Sequence, residues 1–216
     1  AQYRGNAITI TADNCVVKGF RCIKASIKSR CAQIRIKSNR NIIENNICDG
    51  NAIGIHLLNS SWNIIKNNTF RNCGLYTFAS YNNEIEGNIV NGKPLVYLEN
   101  VRDREIRDAG QVVLVNCENI TVRDCNISRT TVGIQLWKSS NCTIINNKVT
   151  ENQMGGICLC DSSKNRILNN TCKKNDDNIH LWHSSKNKIL KNEISSGNAF
   201  GISLYYSPEN KISRNN

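Results

Sequence analysis

The chain has 216 residues, of which 39% are hydrophobic and 21% are charged, and its formal net charge is +11. This composition excludes an intrinsically disordered chain, and no apolar run approaches the ~20 residues of a membrane-spanning helix. The positive charge favours acidic partners, such as an acidic polysaccharide or a phosphate-bearing surface. Nucleic acid is not favoured, because the basic residues are scattered without the basic-aromatic motifs of RNA-binding domains.

Two short phrases recur along the chain at intervals of about 20 to 23 residues. Clear copies of the first, Asn-x-Ile-x-x-Asn, begin at Asn41, Asn63, Asn83, Asn165, Asn187 and Asn210. Copies of the second, Gly-Ile-x-Leu, begin at Gly54, Gly133, Gly156 and Gly201. Both phrases alternate apolar and polar residues, which is the period of a β-strand. The pattern predicts an all-β fold over residues 1–216: one right-handed, single-stranded parallel β-helix of about nine coils.

Alignment of the second phrase predicts which side chains fill the interior. The predicted inward stacks are Ile34, Ile55, Val113, Ile134, Ile157, Ile179, Ile202 and, beside them, Ile36, Leu57, Phe78, Val115, Leu136, Leu159, Leu181, Leu204. Residues between the stacks, such as Thr77 and Leu114, are expected to point outward, because successive side chains of a strand face opposite sides.

The second Asn of the first phrase forms a predicted column of stacked amides. Its members are Asn46, Asn68, Asn88, Asn147, Asn170, Asn192 and Asn215. Neighbouring coils are ~4.8 Å apart, so each amide is expected to hydrogen-bond to the next as a structural Asn ladder. Asn also tolerates the left-handed backbone that the corners of a coil need, and these residues are expected to adopt it.

One interval of the repeat is too long. Between Asn88 and Cys125 the chain has about 15 residues more than one coil, which predicts an inserted loop at about residues 91–110. Insertions in a solenoid become loops on one face, and that face often binds a partner.

The repeats, with the stretches 91–98 and 110–117, resemble the NosD-type parallel β-helix family, also described as the carbohydrate-binding and sugar-hydrolysis (CASH) family. Within this family, the chain most resembles the archaeal surface-protein branch. The resemblance implies an extracellular, cell-surface or periplasmic location, and one branch of the family is a copper-handling accessory protein. Repeat motifs encode coils rather than chemistry, so the resemblance is more specific for fold than for function.

Cys158, Cys160, His180 and His183 form the densest group of candidate metal ligands. Two thiols and imidazoles suit copper or zinc, although no cofactor is the main expectation. The alternative is that these are ordinary surface residues of a cysteine-rich chain.

Trp137, Trp182 and Tyr205 form a predicted outward aromatic stripe, with Lys138 next to it. Such rings stack on sugars, so these four residues are candidates for carbohydrate binding; the alternative is that they pack under a loop. Cleavage of a glycosidic bond needs two carboxylates about 5 to 9.5 Å apart. Asp161 and Asp177 are the nearest candidates, and no catalytic residue is assigned.

The eleven cysteines and the end of the chain suggest association with neighbours. The count is odd, and Cys31, Cys73 and Cys117 lie near predicted turns, where a bridge to another chain is conceivable. The sequence stops inside a repeat, so it is a piece of a longer protein or its end meets a neighbour.

We therefore expect an extracytoplasmic, non-catalytic β-helix protein of a cell-surface layer, sheath or filament, with carbohydrate binding as an added expectation. Self-association, or contact with neighbouring surface-layer subunits, is the expected partnership. Two alternatives stay open: a polysaccharide-active lyase or hydrolase, and a NosD-like copper-handling accessory protein.

Overall fold

The computed structural model describes residues 5–23, 31–50 and 53–216, and every regular element in this part of the chain is a β-strand. The first strands are β1 (Ile8–Ile10), β2 (Val16–Lys18), β3 (Arg21–Ile23), β4 (Ala32–Ile36), β5 (Ile42–Glu44), β6 (Ile47–Asp49), β7 (Ile53–Leu58), β8 (Ile64–Lys66), β9 (Thr69–Arg71), β10 (Leu75–Phe78), β11 (Glu84–Glu86), β12 (Ile89–Val90) and β13 (Lys93–Glu99). The later strands are β14 (Glu105–Ile106), β15 (Gln111–Val115), β16 (Thr121–Arg123), β17 (Asn126–Ser128), β18 (Val132–Trp137), β19 (Thr143–Ile145), β20 (Lys148–Thr150), β21 (Gly155–Cys160), β22 (Arg166–Leu168), β23 (Thr171–Lys173), β24 (Asp177–Trp182), β25 (Lys188–Leu190), β26 (Glu193–Ser195), β27 (Phe200–Tyr205) and β28 (Lys211–Ser213).

The chain divides into two compact units, each built from stacked coils. Unit 1 consists of residues 1–95 with 129–131, and unit 2 of residues 96–128 with 132–216. Parallel strands in unit 1 pair in the orders β1-β4-β7-β10, β2-β5-β8-β11 and β3-β6-β9-β12. Those in unit 2 pair in the orders β15-β18-β21-β24-β27, β14-β16-β19-β22-β25-β28 and β17-β20-β23-β26. Each strand thus pairs with its counterparts in neighbouring coils, which confirms the predicted parallel β-solenoid of about nine turns.

The stretch predicted as an inserted loop contains β13 and β14. In unit 1, β12 pairs antiparallel with the start of β13, with Val90 opposite Lys93. The two residues between them, Asn91 and Gly92, both have positive φ, at 49° and 85°. Positive φ at both central residues is typical of a type I′ hairpin turn, for which Asn-Gly is the preferred sequence.

Inward side chains of neighbouring coils stack on one another. In unit 2, Ile134, Ile157 and Ile179 pair in register and are fully buried, and Leu136, Leu159 and Leu181 form the adjacent stack. Burial of one such side chain contributes about 1.5–3 kcal/mol relative to an exposed one. The repeated Ile-x-Leu of each coil therefore contributes substantially to stability.

Two sequence-based assignments to these stacks were wrong. Val112 pairs with Ile134, and Leu114 with Leu136, so these two residues fill the interior whereas Val113 and Val115 point outward. In unit 1, Leu57 pairs with Thr77 rather than with Phe78. Both errors are shifts of one residue, and a shift of one residue moves a side chain to the opposite face of a strand.

Close packing requires glycine in two copies of the Gly-Ile-x-Leu phrase, at Gly133 and Gly156. A Cβ at Gly133 would lie 2.5 Å from Val149 Cγ1 and 2.8 Å from the carbonyl oxygen of Gly156. A Cβ at Gly156 would lie 2.5 Å from the carbonyl oxygen of Asn178. Because carbonyl groups of the next coil cannot move aside, only glycine fits at these two positions. At Gly201 a Cβ would lie 3.4 Å from Ile194 Cγ2, and Asn178 occupies the equivalent position of the coil between Gly156 and Gly201.

The asparagine column forms a continuous ladder within each unit. In unit 2, the backbone N–H and Nδ2 of Asn147 both donate to Oδ1 of Asn170, at 2.9 and 3.0 Å. Nδ2 of Asn170 in turn donates to the carbonyl oxygen of Ile144 at 2.9 Å. Equivalent bonds link Asn46, Asn68 and Asn88 in unit 1, and Asn170, Asn192 and Asn215 in unit 2.

The expectation that the ladder asparagines are themselves left-handed was wrong. Positive φ falls on the preceding residue, for example Asn67 at 54° before Asn68 and Asn169 at 53° before Asn170. The preceding residue turns the chain, and this leaves the ladder residue free to direct its buried amide along the stack.

Cysteines occupy the first position of several further ladders. Cys142 donates its backbone N–H to Oδ1 of Asn165 at 2.8 Å, and its thiol lies 3.3 Å from the carbonyl oxygen of Ser140. Cys117 makes the same backbone contact to Ser139 Oγ at 3.0 Å. All eleven cysteines lie in the described residues and none of them forms a disulfide; Cys15 is half-buried and the others are buried. Cysteine here is a weak donor at a buried corner rather than a half of a disulfide.

Candidate functional site

Most residues predicted for a functional site lie on the outward face of β18, β21, β24 and β27 in unit 2. Cys158 pairs in register with His180, and Cys160 pairs with Trp182. The neighbouring strands place Trp137 beside Cys160 and Tyr205 beside Trp182. The sequence therefore predicted correctly which of these side chains are neighbours.

The two thiols of this face are buried and protonated. Burial, followed by the nearby Cys160 and Asp177, raises the pKa of Cys158 well above its usual value. Burial also raises the pKa of Cys160 to about 12. The described residues contain no group of three or more His, Cys, Asp or Glu side chains placed to hold a metal ion. This donor set does not fit copper or zinc without rearrangement, since a thiol must lose its proton to bind either ion.

His180 is held by two oxygen atoms on one side of its ring. Its Nδ1 lies 2.8 Å from Ser203 Oγ and 3.2 Å from Asp177 Oδ2, and Ser203 donates to the same Asp177 oxygen at 3.4 Å. A carboxylate only accepts hydrogen bonds, so this arrangement favours the proton on Nδ1. In a Ser-His-Asp triad the serine and aspartate contact opposite ring nitrogens; here they share one, so the cluster is not a nucleophilic triad.

The two carboxylates considered for catalysis do not converge. Asp177 pairs in register with Gly155 at the start of β21, whereas Asp161 follows the end of the same strand. Six residues of extended strand separate these positions, which is about 20 Å at ~3.3 Å per residue. A glycosidic bond between two acting carboxylates requires less than half of that distance.

The aromatic residues differ in exposure. Trp137 is only 4% exposed, so it offers no open face to a sugar, whereas Tyr205 is 45% exposed. His183 lies at a left-handed corner, packs edge-on against Trp182 at 4.3 Å and stacks on Tyr206 at 5.0 Å between ring centroids. Lys138 occupies the equivalent corner two coils earlier. The exposed aromatic surface is thus Tyr205, His183 and Tyr206 rather than a stripe that includes Trp137.

A row of unpaired cations on β22, β25 and β28 was missed by the sequence analysis. Arg166, Lys188 and Lys211 pair in register, one per coil, and all three are exposed. Lys191 and Arg214 stand at the left-handed corner that follows these strands. We call these five residues the basic face. Among the described residues, none of the five has an ion-pair partner.

The floor of the basic face is aliphatic. Leu168 and Leu190 pair in register beside the cations and are half-buried. A shallow groove of about 250 Å³ is lined by Leu190, Lys191, Lys211, Ser213 and Arg214. The face therefore combines a row of positive charges with a narrow apolar strip.

The corresponding face of unit 1 is charge-balanced. Lys18, Glu44, Lys66 and Glu86 alternate in register along it. Lys18 pairs with Glu44 at 2.8 Å, and Lys66 pairs with Glu84 and with Glu86. Acidic side chains therefore neutralise the cations on this face of unit 1. Within the described residues, the cations of the basic face in unit 2 have no such acidic partners.

His56 in unit 1 is a buried titratable group that the sequence did not point to. His56 is 7% exposed, and neither ring nitrogen has a hydrogen-bond partner. Burial, reinforced by Arg35 and Lys37, lowers the pKa of His56 to about 4. The side chain is therefore neutral at physiological pH and contributes packing, including a contact with the Tyr76 ring at 5.2 Å between centroids.

Two family models match the chain. The model described as periplasmic copper-binding protein (NosD) matches residues 97–216, and the model described as right handed beta helix region matches residues 2–109. A comparison with curated proteins gave no match.

Solved structures to which the chain is similar include an alginate epimerase and a mannuronan C-5 epimerase. A mutant of the periplasmic alginate epimerase AlgG is 17% identical with a TM-score of 0.48, covering 85% of this chain and 47% of that one. The A-module of the mannuronan C-5 epimerase AlgE4 of Azotobacter vinelandii is 11% identical with a TM-score of 0.37, covering 96% of this chain and 77% of that one. The chain thus spans less than half of the AlgG structure.

Proposed function

Since the chain belongs to the NosD family of right-handed β-helix proteins, we propose that it is an extracytoplasmic protein that binds an acidic polysaccharide without cleaving it. The family description as periplasmic supports the location. No helix in the described residues has the length and apolar character needed to cross a membrane. The copper of the family description is not carried over, because the donor set on β21 and β24 does not fit it.

The basic face is the observation that carries this proposal. Arg166, Lys188 and Lys211 repeat once per coil, at a spacing of ~4.8 Å between paired strands. An extended polyuronate offers one carboxylate per sugar residue, a repeat of similar length. A linear array of cations therefore meets a linear array of anions, and the half-buried Leu168 and Leu190 contact the apolar faces of the sugar rings.

The composition of the face favours a polysaccharide over a nucleic acid. The strands β19, β22, β25 and β28 read Thr-Ile-Ile, Arg-Ile-Leu, Lys-Ile-Leu and Lys-Ile-Ser, and none has an aromatic residue. Proteins that hold single-stranded nucleic acid usually stack its bases on aromatic side chains. Sugar rings with carboxylates need only cations and small apolar contacts.

A non-catalytic role agrees with the geometry of the carboxylates. Asp161 and Asp177 stand too far apart to flank one glycosidic bond, and Asp177 contacts His180 and Ser203. We place the protein in a cell-surface layer, sheath or filament, where its exposed Tyr205 and Tyr206 suit contact with neighbouring subunits.

The test compares polygalacturonate with the same polymer after full methyl esterification, which removes the negative charge and keeps the backbone. We expect binding of the acid form only, and weaker binding as salt rises from 50 to 200 mM. The variant Lys188→Gln/Lys211→Gln should weaken binding about 2- to 30-fold, at 0.2–1 kcal/mol per exposed pair. The matched control Lys148→Gln/Lys174→Gln removes two exposed charges elsewhere in unit 2 and should have little effect. Equal losses in the two variants, or equal binding of the esterified polymer, would exclude the basic face as the site.

A further inference from the structure

The outward face of β2, β5, β8 and β11 in unit 1 exposes apolar side chains. Val16, Ile42 and Ile64 pair in register along it; Val16 is 60% exposed and the two isoleucines are half-buried. Trp62 stands at the corner that precedes β8 and is also 60% exposed. Contiguous apolar surface of this kind is typical of a site that contacts a partner.

The backbone at Trp62 is a second observation at the same place. The corners that precede the four strands are left-handed, with φ of 61° at Asn14, 56° at Arg40, 60° at Trp62 and 56° at Asn82. Asparagine adopts this conformation readily, whereas a bulky residue is an outlier there. Burial within the chain does not offset the strain at Trp62, which favours a role for its ring in contact with another molecule.

The charges of this face alternate in sign from coil to coil. Lys18, Glu44, Lys66 and Glu86 pair in register in that order. An anionic polymer would meet a carboxylate at every second coil, so the face does not suit the acidic polysaccharide proposed for unit 2. A row that reads plus, minus, plus, minus becomes minus, plus, minus, plus when its direction is reversed. The same face of a second copy, turned end to end, therefore places an opposite charge against each of these four groups.

We propose that this face binds the same face of a second copy, related to the first by a two-fold axis that runs along the strands. Such an axis reverses the order of the coils and keeps each outward column opposite itself, which is the geometry of an isologous interface. In the charged column, Glu44 faces Lys66 of the second copy, and Lys18 faces Glu86. Each pair occurs twice in the dimer.

The apolar column is complementary to its own reverse in the middle of the face. Ile42 faces Ile64 of the second copy, so the two half-buried isoleucines of each chain become covered. At the two ends Val16 faces Glu84, whose carboxylate pairs with Lys66 of its own chain. The apolar contact is therefore strongest close to the two-fold axis.

The corner column matches as well. Reversal of the coils places Arg40 against Trp62 of the second copy, and this also happens twice in the dimer. A guanidinium over an indole ring is a favourable cation–π pair, and arginine stacks on rings through its flat face. Nη1 of Arg40 lies 4.0 Å from Asp13 of its own chain, and a stacked guanidinium keeps its edge for such a contact.

The size of the face sets the strength of the dimer. Four coils extend over ~19 Å along the stack, and the corner with its strand extends over ~17 Å. This area is below the ~800 Å² per partner of a standard interface, so the dimer should be weak and reversible. The net charge of +11 opposes association of two copies, and this face lessens the repulsion because its own charges nearly balance: Lys18, Arg40 and Lys66 lie beside Asp13, Glu44, Glu84 and Glu86.

Sedimentation equilibrium of the whole chain, without polysaccharide, tests the pairing. We expect a monomer–dimer equilibrium between about 10 and 500 µM. In Glu44→Lys and in Lys66→Glu, two like-charge contacts replace two opposite ones, so each variant alone should dimerise at least about tenfold more weakly. An equimolar mixture of the two variants should recover the dimer, since each substituted residue then faces the other, which has the opposite charge. Circular dichroism establishes that both variants are folded.

Trp62→Asn is a variant whose fold is not at risk, because asparagine is favoured at a left-handed corner. It should weaken the dimer about tenfold or more through the loss of both cation–π pairs, while the free energy of unfolding stays the same or rises. The matched control is Tyr206→Ser, which removes an exposed ring from unit 2 and should leave this dimer unchanged.

A chain that stays monomeric up to about 500 µM overturns the proposal, as does a dimer that Trp62→Asn leaves unchanged. A mixture of the two charge variants that associates no better than either alone overturns the reversed order of the coils. Loss of the dimer in Tyr206→Ser but not in Trp62→Asn assigns the contact to unit 2 and also overturns the proposal. None of these measurements involves the polysaccharide, so the pairing and the proposed function stand or fall separately.

Discussion

Removal of one amide from the middle of the asparagine ladder should destabilise unit 2 strongly. Asn170 is buried, and its side chain accepts two hydrogen bonds from Asn147 and donates to Ile144 and Asn192. Asn170→Ala leaves the backbone N–H of Asn147 without its acceptor and the carbonyl of Ile144 without its donor. Each buried group left unsatisfied costs about 1–3 kcal/mol, so for the two groups we expect a loss of about 2–6 kcal/mol in the free energy of unfolding.

The neighbouring asparagine provides a matched control. Asn169 is exposed and turns the corner with a φ of 53°. Asn169→Gly removes an amide of the same size and keeps the left-handed backbone accessible, so we expect a change below about 1 kcal/mol. Asn170→Asp is a second probe: it keeps the acceptor oxygens, loses the donor and buries a charge, so it should destabilise at neutral pH at least as much as Asn170→Ala.

Urea unfolding measures the loss, and native-state hydrogen exchange locates it. The amide of Asn147 should lose protection in Asn170→Ala, because its acceptor is Oδ1 of residue 170. The reasoning is refuted if Asn170→Ala costs no more than Asn169→Gly, or if the Asn147 amide keeps its protection. Either result would mean that the ladder contributes little beyond the apolar stacks.

Three further predictions follow from other parts of the molecule. The pKa of His56 is lowered to about 4 in the folded protein, so below pH 6.5 the unfolded chain protonates this histidine before the folded chain does. The free energy of unfolding should therefore fall by about 3 kcal/mol between pH 6.5 and pH 4. Urea titrations at several pH values measure this fall, and His56→Phe should abolish it. At pH 8 in native buffer, an alkylating reagent followed by mass spectrometry should label the half-buried Cys15 before Cys158 and Cys160; equal labelling of the three would contradict their burial. Electron microscopy should show self-associated layers or filaments that Tyr206→Ser disperses, and dispersed particles from the unmodified protein would contradict the proposed place in a surface assembly.

The fold was predictable because one signal repeats in every coil. The Ile-x-Leu phrases and the second Asn recur with the period of the solenoid, and each copy reinforces the same register. Prediction failed where a copy departs from the phrase: Val112 and Leu114 were placed one residue out of register because β15 lacks the Gly-Ile pair that marks the bend. The Asn91-Gly92 dipeptide is a local hairpin signal, but the repeat alone predicted only a loop at these residues.

The site was less predictable because it depends on which outward positions stay exposed. The register of the repeat placed Cys158 beside His180 correctly. It did not indicate that the thiols of Cys158 and Cys160 are buried or that Trp137 is covered. The basic face was visible in principle, since Arg166, Lys188 and Lys211 occupy the same position in three successive copies of the phrase. Scattered cations in a sequence become a continuous row only after the coils are stacked.

Cross-linking of the bound polymer tests the central claim most directly. A carbodiimide joins polygalacturonate carboxylates to lysine amines in contact with them, and peptide mapping then identifies the modified lysines. The account predicts modification at Lys188, Lys191 and Lys211, with Lys148 and Lys174 of the same unit unmodified. Modification spread evenly over all exposed lysines, or concentrated at Lys148 and Lys174, would contradict it.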